Sequence, residues 1–222
     1  MERKIIQTGD GSHSIALPQL GATYHSIHGA IRESKHVFIE AGLNLFLNNA
    51  CSEPLTIFEM GLGTGLNAFL TAIEATKHKI HIHYTAVDQF PISAEYAGAL
   101  NYPDYLQNED AFIKIHESNW QEDIRISEFF KLHKIKTNFF DYHSNEKVHL
   151  IYYDAFAPTT QPELWTREIF EKLLNMLQPY GVLVTYCSKG DVRRAMMAAG
   201  FTIKKLPGPP GKREILKAVK SG

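Results

Sequence analysis

Two hydrophobic periodicities divide most of this chain into strands and helices. From residue 55 onward, short apolar runs typical of buried strands alternate with segments whose apolar residues recur at helical spacing. The predicted strands cover 55–60, 80–88, 129–141, 148–154 and 181–188, and the predicted helices cover 66–78, 92–101, 162–179 and 190–200. This alternation indicates a parallel sheet that is covered by helices on both faces.

The end of the chain breaks the alternation. Residues 201–206 and 213–219 predict two further strands, and the linker between them, PGPPGK, is too short for a crossover helix. Such strands pair antiparallel. A terminal antiparallel hairpin resembles the class I S-adenosylmethionine (AdoMet)-dependent methyltransferases, whereas an ordinary dinucleotide-binding fold keeps its sheet parallel. We therefore expect an α/β, Rossmann-like fold with a mostly parallel seven-stranded sheet.

The first part of the chain has a different pattern. Within residues 1–50, short strand-like pieces separated by Gly and Pro precede a helical pattern over 34–49. We expect this segment to be an N-terminal extension that packs on a methyltransferase domain over 51–222. No apolar run approaches the length of a membrane span, and no apolar leader is visible, so we expect a cytoplasmic protein without membrane contact.

Charge is distributed unevenly along the chain. The formal net charge is -1, but from Tyr186 to the end nine Lys and Arg residues oppose two acids, so this part carries about +7 and the rest about -8. A basic segment of this kind either holds phosphates or is only a solvated surface. The two cysteines, Cys51 and Cys187, are too few for a disulfide framework or a zinc site, and we expect no bound metal.

A glycine-rich loop joins the first predicted strand of the sheet to the first helix. In EMGLGTGLN (59–67), Gly61, Gly63 and Gly65 give the spacing G-x-G-x-G. Leu66 stands where the dinucleotide fingerprint G-x-G-x-x-G has its third glycine, so that fingerprint is not met. The loop resembles the E/D-x-G-x-G-x-G loop of AdoMet enzymes, whose backbone approaches the cofactor at the carboxyl ends of the strands.

Polar residues beside this loop are the other candidates for cofactor binding. Asp88 ends the second strand, where an acid accepts both ribose hydroxyls in NAD and AdoMet folds. Asp141 ends the next extended segment, where methyltransferases often place an acid against the adenine amino group. Glu59 orients the loop or binds the methionine amino group, and Asn67 closes the loop. Each acid has an alternative role as a helix N-cap or a solvated residue.

Five segments together resemble one bacterial family. They are TGDGSHSI, YHSIHGAIRESKHVF, GLGTGLN, YYDAFAPTTQPELWT and VRRAMMAAGFTIKKLPGPPGKREIL. This family completes 5-methylaminomethyl-(2-thio)uridine at the tRNA wobble position, and it comprises the methyltransferase domain of MnmC and its stand-alone form, MnmD. The matching segments span nearly the whole chain in the expected order.

The resemblance implies a reaction and its participants. AdoMet would be the methyl donor, and the anticodon loop of tRNA would carry the aminomethyl group that is methylated. Bifunctional relatives add a flavin-dependent oxidase domain; we expect no such domain and no flavin here, so upstream tRNA-modifying enzymes would supply the substrate. Methyl or aminopropyl transfer to a small-molecule amine and a non-catalytic AdoMet- or RNA-binding module remain alternatives.

The resemblance also assigns residues to this reaction. Asp154 would be catalytic, unless it only caps the following helix. Phe156 and Pro158 would shape the wall against which a flipped-out base lies. Tyr24 and His25 would close over the methionine end of AdoMet, with Glu33 and Ser34 beside them. The residues expected to contact the RNA backbone are Lys189, Arg193, Arg194, Lys212 and Arg213.

Overall fold

The computed structural model describes residues 2–47 and 54–222. The strands are β1 (Lys4–Gln7), β2 (His13–Leu17), β3 (Ala22–Thr23), β4 (Leu55–Met60), β5 (Ile82–Asp88), β6 (Asp123–Arg125), β7 (Phe130–Lys136), β8 (Val148–Tyr153), β9 (Leu177–Thr185), β10 (Thr202–Pro207) and β11 (Glu214–Val219). The helices are α1 (Ala30–Ser34), α2 (Asn44–Leu47), α3 (Leu66–His78), α4 (Ala94–Gly98), α5 (Tyr102–Leu106), α6 (Glu109–Glu117), α7 (Arg167–Met176) and α8 (Gly190–Ala198). Cys51 and the predicted domain boundary lie outside the described residues.

The main sheet has the strand order β10-β11-β9-β8-β4-β5-β7-β6. Its five central strands pair in parallel, and β9, β11 and β10 pair antiparallel, so the predicted mostly parallel sheet with a terminal hairpin is confirmed. The sheet has eight strands instead of seven because the three-residue β6 adds an antiparallel edge to β7. Since β4 lies between β5 and β8, the strand order reverses there, and a ligand crevice is expected at the carboxyl ends of these strands.

Residues of the central strands alternate between two hydrophobic cores. In β4, Ile57 faces one core and Phe58 faces the other; in β8, Tyr152 and Tyr153 divide in the same way. Helices α3 and α6 cover the first face, and α7 and α8 cover the second. All four of these strand side chains are at most 1% exposed. Because helices pack on both faces of the sheet, the positions of the polar residues at the strand ends are fixed.

The N-terminal segment packs against the same sheet. A continuous helical stretch runs from α1 through a π-helical segment, Lys35–Leu43, to α2, so the predicted helix starts earlier than expected, at Ala30. The buried residues of this stretch include Val37 and Phe38, which belong to the first core. A Cβ on Gly42 would lie 3.1 Å from Val184 Cγ2, which shows how closely this helix approaches β9. The small sheet β1-β2-β3 precedes it.

Several element boundaries differ from the sequence-based expectation. The helix expected over 162–179 is divided, because Thr166 is extended and its side chain accepts a hydrogen bond from the Ile169 N–H as the cap of α7. β9 begins at Leu177 instead of 181. β7 ends at Lys136, five residues before Asp141. Helices α5 and α6 were not predicted. In the described part of the chain, no helix is both long and apolar enough to cross a membrane.

Candidate active site

A cavity of about 400 Å³ opens where the carboxyl ends of β4, β5 and β8 meet. The glycine loop, the residues after β5, β7 and β8, and part of the N-terminal segment line it. Predicted site residues that line the cavity are Tyr24, Gly61, Gly63, Asp88, Asp154, Phe156 and Lys212. Side chains from both ends of the chain thus meet at the point where the strand order reverses, which is where open α/β sheets bind ligands.

The three glycines of the loop all have positive φ angles. These angles are 89° at Gly61, 53° at Gly63 and 72° at Gly65. L-residues with a side chain adopt this region at a cost, so the loop conformation depends on glycine. A Cβ on Gly63 would lie 3.1 Å from Cδ1 of Tyr24, and one on Gly61 would lie 3.2 Å from the Asp154 carbonyl oxygen. The loop therefore presents backbone without side chains between the N-terminal segment and Asp154, which follows β8.

Asp88 is held against the glycine loop. Its Oδ2 accepts a hydrogen bond of 2.9 Å from the Gly63 N–H, and its Oδ1 accepts one of 2.8 Å from the Phe90 N–H. Burial raises the pKa of this carboxyl above its ordinary value, although these two backbone hydrogen bonds oppose the shift. Each carboxylate oxygen keeps a second lone pair that a ligand hydroxyl can use. The position fits the predicted ribose contact.

Asp154 follows β8 directly and is joined to the glycine loop through Asn67. The Asn67 Nδ2 group donates to Asp154 Oδ2 at 2.8 Å and to Glu59 Oε1 at 2.9 Å. Glu59 is completely buried, and Asn67 is 2% exposed. Within the described residues, Glu59 Oε2 and Asn67 Oδ1 are buried without a hydrogen-bond partner. Neither Glu59 nor Asn67 is part of the cavity lining, and the contact of Glu59 with the methionine amino group stays a prediction.

The environment of Asp154 changes its acidity. Burial raises its pKa to about 7, and the negative charge of Glu33 adds to this effect. The hydrogen bond from Asn67 and the positive charge of Lys212 act in the opposite direction. Burial also raises the pKa of Glu59 well above its ordinary value. Asp154 is therefore the carboxyl that exchanges a proton near neutral pH.

The N-terminal segment covers the glycine loop from the outside. The ring nitrogen Nε2 of His25 and the hydroxyl of Thr64 share a hydrogen bond of 2.6 Å, and the Tyr102 hydroxyl donates to the same Thr64 oxygen at 3.2 Å. Burial lowers the pKa of His25 to about 4, which keeps the imidazole neutral. The Tyr24 ring meets the edge of Phe156, with 5.1 Å between the ring centroids. These contacts join the segment to the loop and to the wall after β8.

An ion pair between the two ends of the chain closes one side of the cavity. The Lys212 ammonium pairs with Glu33 Oε2 and lies 4.0 Å from the centroid of the Tyr186 ring. Glu33 Oε1 accepts a hydrogen bond of 2.9 Å from the Ser26 N–H. The Tyr186 hydroxyl donates to the Ala155 carbonyl at 2.8 Å. Ser26, Glu33, Ala155, Tyr186 and Lys212 all line the cavity, and Ala155 directly follows Asp154.

Other predicted residues lie farther from the cavity. Asp141 is exposed and is not part of the lining, whereas Asn138 is. The adenine contact of Asp141 stays a prediction. Ser34 is fully buried outside the lining, and Pro158 is not in the lining either.

The predicted RNA-binding residues divide into two groups. Lys212 enters the cavity, whereas Lys189, Arg193, Arg194 and Arg213 do not line it. Arg194 pairs with Asp191 on the surface of α8, and Lys189 and Arg213 are exposed. Their contacts with RNA stay predictions.

Polar lining residues outside the assigned set include Asn138 and Tyr186. Asn138 and Tyr186 follow β7 and β9 at the same edge of the sheet as Asp88 and Asp154. A rule that singles out polar residues just after each parallel strand would have found both. Glu33 was expected beside Tyr24 and His25, and all three residues line the cavity.

The lining fits an AdoMet molecule. The bare glycine backbone and the Asp88 carboxylate beside it match a ribose. Across residues 2–47 and 54–222, no group of three or more His, Cys, Asp or Glu side chains is placed to hold a metal ion.

Comparison with known proteins agrees with this geometry. A family profile described as S-adenosyl-L-methionine-dependent methyltransferase matches residues 99–221. The tRNA 5-methylaminomethyl-2-thiouridine biosynthesis bifunctional protein MnmC of Pseudomonas putida (strain W619) is 28% identical over 92% of this chain and 33% of its own length. The protein of the same name from Leptospira borgpetersenii serovar Hardjo-bovis (strain JB197) is 31% identical over 87% of this chain and 31% of its own length. The chain thus spans about a third of the length of these relatives.

Solved structures with the same fold include MNMC2 from Aquifex aeolicus, with a TM-score of 0.75 and 24% identity over 98% of this chain and 70% of that one. Spermidine synthase from Thermotoga maritima follows with a TM-score of 0.58 and 13% identity over 99% of this chain and 69% of that one. These likenesses confirm the predicted fold. The profile match covers more than half of the chain and confirms the family that its motifs resemble. The chain belongs to the S-adenosyl-L-methionine-dependent methyltransferase family that this profile describes.

Proposed function

We propose that this enzyme transfers a methyl group from AdoMet to the aminomethyl group of 5-aminomethyl-(2-thio)uridine at the tRNA wobble position. The product would be 5-methylaminomethyl-(2-thio)uridine. The names of the MnmC relatives support this substrate class. The cytoplasm, where tRNA and AdoMet are both present, is the proposed compartment.

One observation carries the proposal: a carboxyl with a pKa of about 7 lies in the cavity directly after β8. An aminomethyl group is largely protonated near neutral pH, and only its neutral form has a lone pair with which to attack. A site for this reaction therefore needs a group that accepts a hydrogen bond and a proton from the amine. Asp154 meets this requirement, and Asn67 holds its carboxyl in place.

The chemistry divides between the cofactor and the protein. When bound, AdoMet supplies a methyl group whose bond to sulfur breaks as its bond to the acceptor nitrogen forms, so positive charge moves from sulfur to nitrogen. The Asp154 carboxylate accepts one proton from the acceptor's ammonium and passes it to solvent through the open side of the cavity. Asp154 then faces the positive nitrogen as a carboxylate again. Positioning and electrostatics of this kind supply most of the catalysis in such transfers.

The substrate base must leave its stack to reach Asp154. Phe156 and Tyr24 present an edge-to-face aromatic pair at the cavity wall, against which a flipped uracil ring can lie. The Phe156 backbone is fixed on both sides, because its carbonyl accepts from Trp165 Nε1 at 2.8 Å and its N–H donates to Gln161 Oε1 at 3.2 Å. Pro158 and Pro162 follow in the same loop, so the cavity wall at Phe156 is rigid.

The direct test uses labelled AdoMet and tRNA from a strain that lacks this last methylation step. After incubation, nucleoside analysis should show label in 5-methylaminomethyl-(2-thio)uridine. Matched tRNA that already carries the methyl group should accept none. Free polyamines and decarboxylated AdoMet, offered in parallel, test transfer to small-molecule amines. Label in a polyamine, or AdoMet binding without any transfer, would contradict the proposal.

A further inference from the structure

The ion pair beside Asp154 has the composition of a binding site for an organic ammonium group. The Lys212 ammonium is held by the Glu33 carboxylate and lies over the face of Tyr186 at 4.0 Å from its centroid. A carboxylate combined with an aromatic face is a common way to bind an ammonium ion. Glu33, Tyr186, Lys212 and Asp154 all line the same cavity.

This ammonium lies where the acceptor of the proposed reaction must approach. Lys212 and Glu33 both act electrostatically on Asp154, so the three charged groups are close neighbours. The acceptor's aminomethyl group carries the same charged group as the end of a lysine side chain. The Lys212 ammonium and the acceptor's ammonium cannot both occupy the position between the Glu33 carboxylate and the Tyr186 ring.

The two partners of the ion pair differ in how firmly they are held. Glu33 lies in the first turn of α1, is 6% exposed, and keeps a second hydrogen bond through the Ser26 N–H. Lys212 lies in the loop between β10 and β11, next to Gly211, whose φ is 87°. Loops rearrange more readily than packed helices. Lys212 is therefore the partner that can leave, and Glu33 is the one that stays.

We propose that Glu33 binds the acceptor's ammonium group together with Asp154, in the place that the Lys212 ammonium occupies in the free enzyme. This inference rests on the proposed function. Glu33 receives and orients the charged amine, and Asp154 removes its proton before the methyl transfer. The displaced Lys212 turns outward, where RNA phosphates are available to it.

Two synthetic anticodon stem-loops test this inference, one with 5-aminomethyluridine at the wobble position and one with plain uridine. Binding of both is measured with S-adenosylhomocysteine present, so that no turnover occurs. The Kd of the plain-uridine RNA divided by the Kd of the aminomethyl RNA isolates the contribution of the amine, because phosphate contacts contribute equally to both. In the wild-type enzyme the aminomethyl RNA should bind more tightly, although displacement of Lys212 limits the gain.

Glu33→Gln should reduce this ratio by about tenfold or bring it to one, since a charge-assisted hydrogen bond is lost. Lys212→Met should increase the ratio, because no ammonium competes any longer. Lys205→Met is the matched control: Lys205 pairs with Glu214 on an exposed part of the same hairpin, and its removal should leave the ratio unchanged. The Kd of AdoMet should stay constant in all three variants, which verifies that they fold.

The outcomes separate the two proposals. Normal methylation of the aminomethyl RNA by wild-type enzyme, combined with a ratio that Glu33→Gln does not change, would overturn the role of Glu33 and leave the proposed function intact. A lower ratio in Lys212→Met would also overturn it, because Lys212 would then support amine binding. Absence of methylation by the wild-type enzyme would overturn the proposed function itself.

Discussion

The side-chain amide of Asn67 donates a hydrogen bond of 2.8 Å to Oδ2 of Asp154. Asn67 lies in the first turn of α3, directly after the glycine loop, and Asp154 follows β8. The loop that is predicted to hold AdoMet and the carboxyl that is predicted to act on the amine are therefore joined by one side chain. A shift of either element is transmitted to the other.

Replacement of Asp154 should separate cofactor binding from catalysis. In Asp154→Asn, the side chain keeps its size but cannot accept a proton, so the rate of methyl transfer should fall by about 10²- to 10⁴-fold. Titration calorimetry should show an AdoMet Kd close to that of the wild type. Normal turnover by this variant would refute the catalytic assignment.

The same variant should change how stability depends on pH. Burial raises the pKa of Asp154 to about 7 from an ordinary 3.8, so the folded state favours the protonated form. This contribution to stability is fully present below pH 3.8 and is lost as the pH rises through about 7. Asp154→Asn stays neutral, so its Tm should exceed that of the wild type increasingly between pH 3.8 and about pH 7, and by a constant amount above that. Calorimetry that finds a constant or decreasing difference between pH 3.8 and about pH 7 would argue against a buried, titrating carboxyl.

The glycine loop offers a matched pair of substitutions. Gly63→Ala places a side chain at a φ of 53° and 3.1 Å from Tyr24, so the loop and the covering ring must both shift. We expect the AdoMet Kd to rise by about tenfold or more. Gly98→Ala in α4 meets nothing within 4 Å and should leave AdoMet binding unchanged while stabilising the protein by about 0.5–1 kcal/mol. Equal affinity of the two variants would exclude the loop from cofactor binding.

The basic end of the chain is tested by the salt dependence of tRNA binding. Lys189 and Arg213 are exposed, so their joint replacement by Ala should weaken binding without affecting AdoMet. The slope of log K against log salt should become shallower by about 0.7 for each lost phosphate contact with single-stranded RNA. Lys77→Ala is the control, because Lys77 lies at the end of α3 that points away from the glycine loop. An unchanged slope would identify the basic end as an ordinary solvated surface.

Local patterns were sufficient to predict much of the fold. The strand at 55–60 and the helix at 66–78 were predicted with the bounds that the structure has. Apolar periodicity indicates both elements, and the glycines mark where the strand ends and the helix begins. The segment 129–141 was misread, since its apolar residues continue past Lys136 although the strand does not. Phe139 is buried in the second core from a turn, which a strand pattern cannot distinguish.

The site was predicted where it depends on strand ends and missed where it depends on packing. Asp88 and Asp154 follow strands and line the cavity, as expected. Glu33 and Lys212 belong to segments whose sequences do not indicate that they pair, because this contact depends on the tertiary fold. Asn138, and not Asp141, lines the cavity, and β7 already ends at Lys136.

The contact between Glu33 and Lys212 joins residues that are 179 positions apart. Translation proceeds at about 5–20 residues per second, so Glu33 leaves the ribosome several seconds or more before its partner is made. The glycine loop and Asp154 are synthesised within this interval, before the acidic pocket beside them gains its counter-ion. The hairpin of β10 and β11 therefore completes the charge balance of the site after the residues it serves have been made.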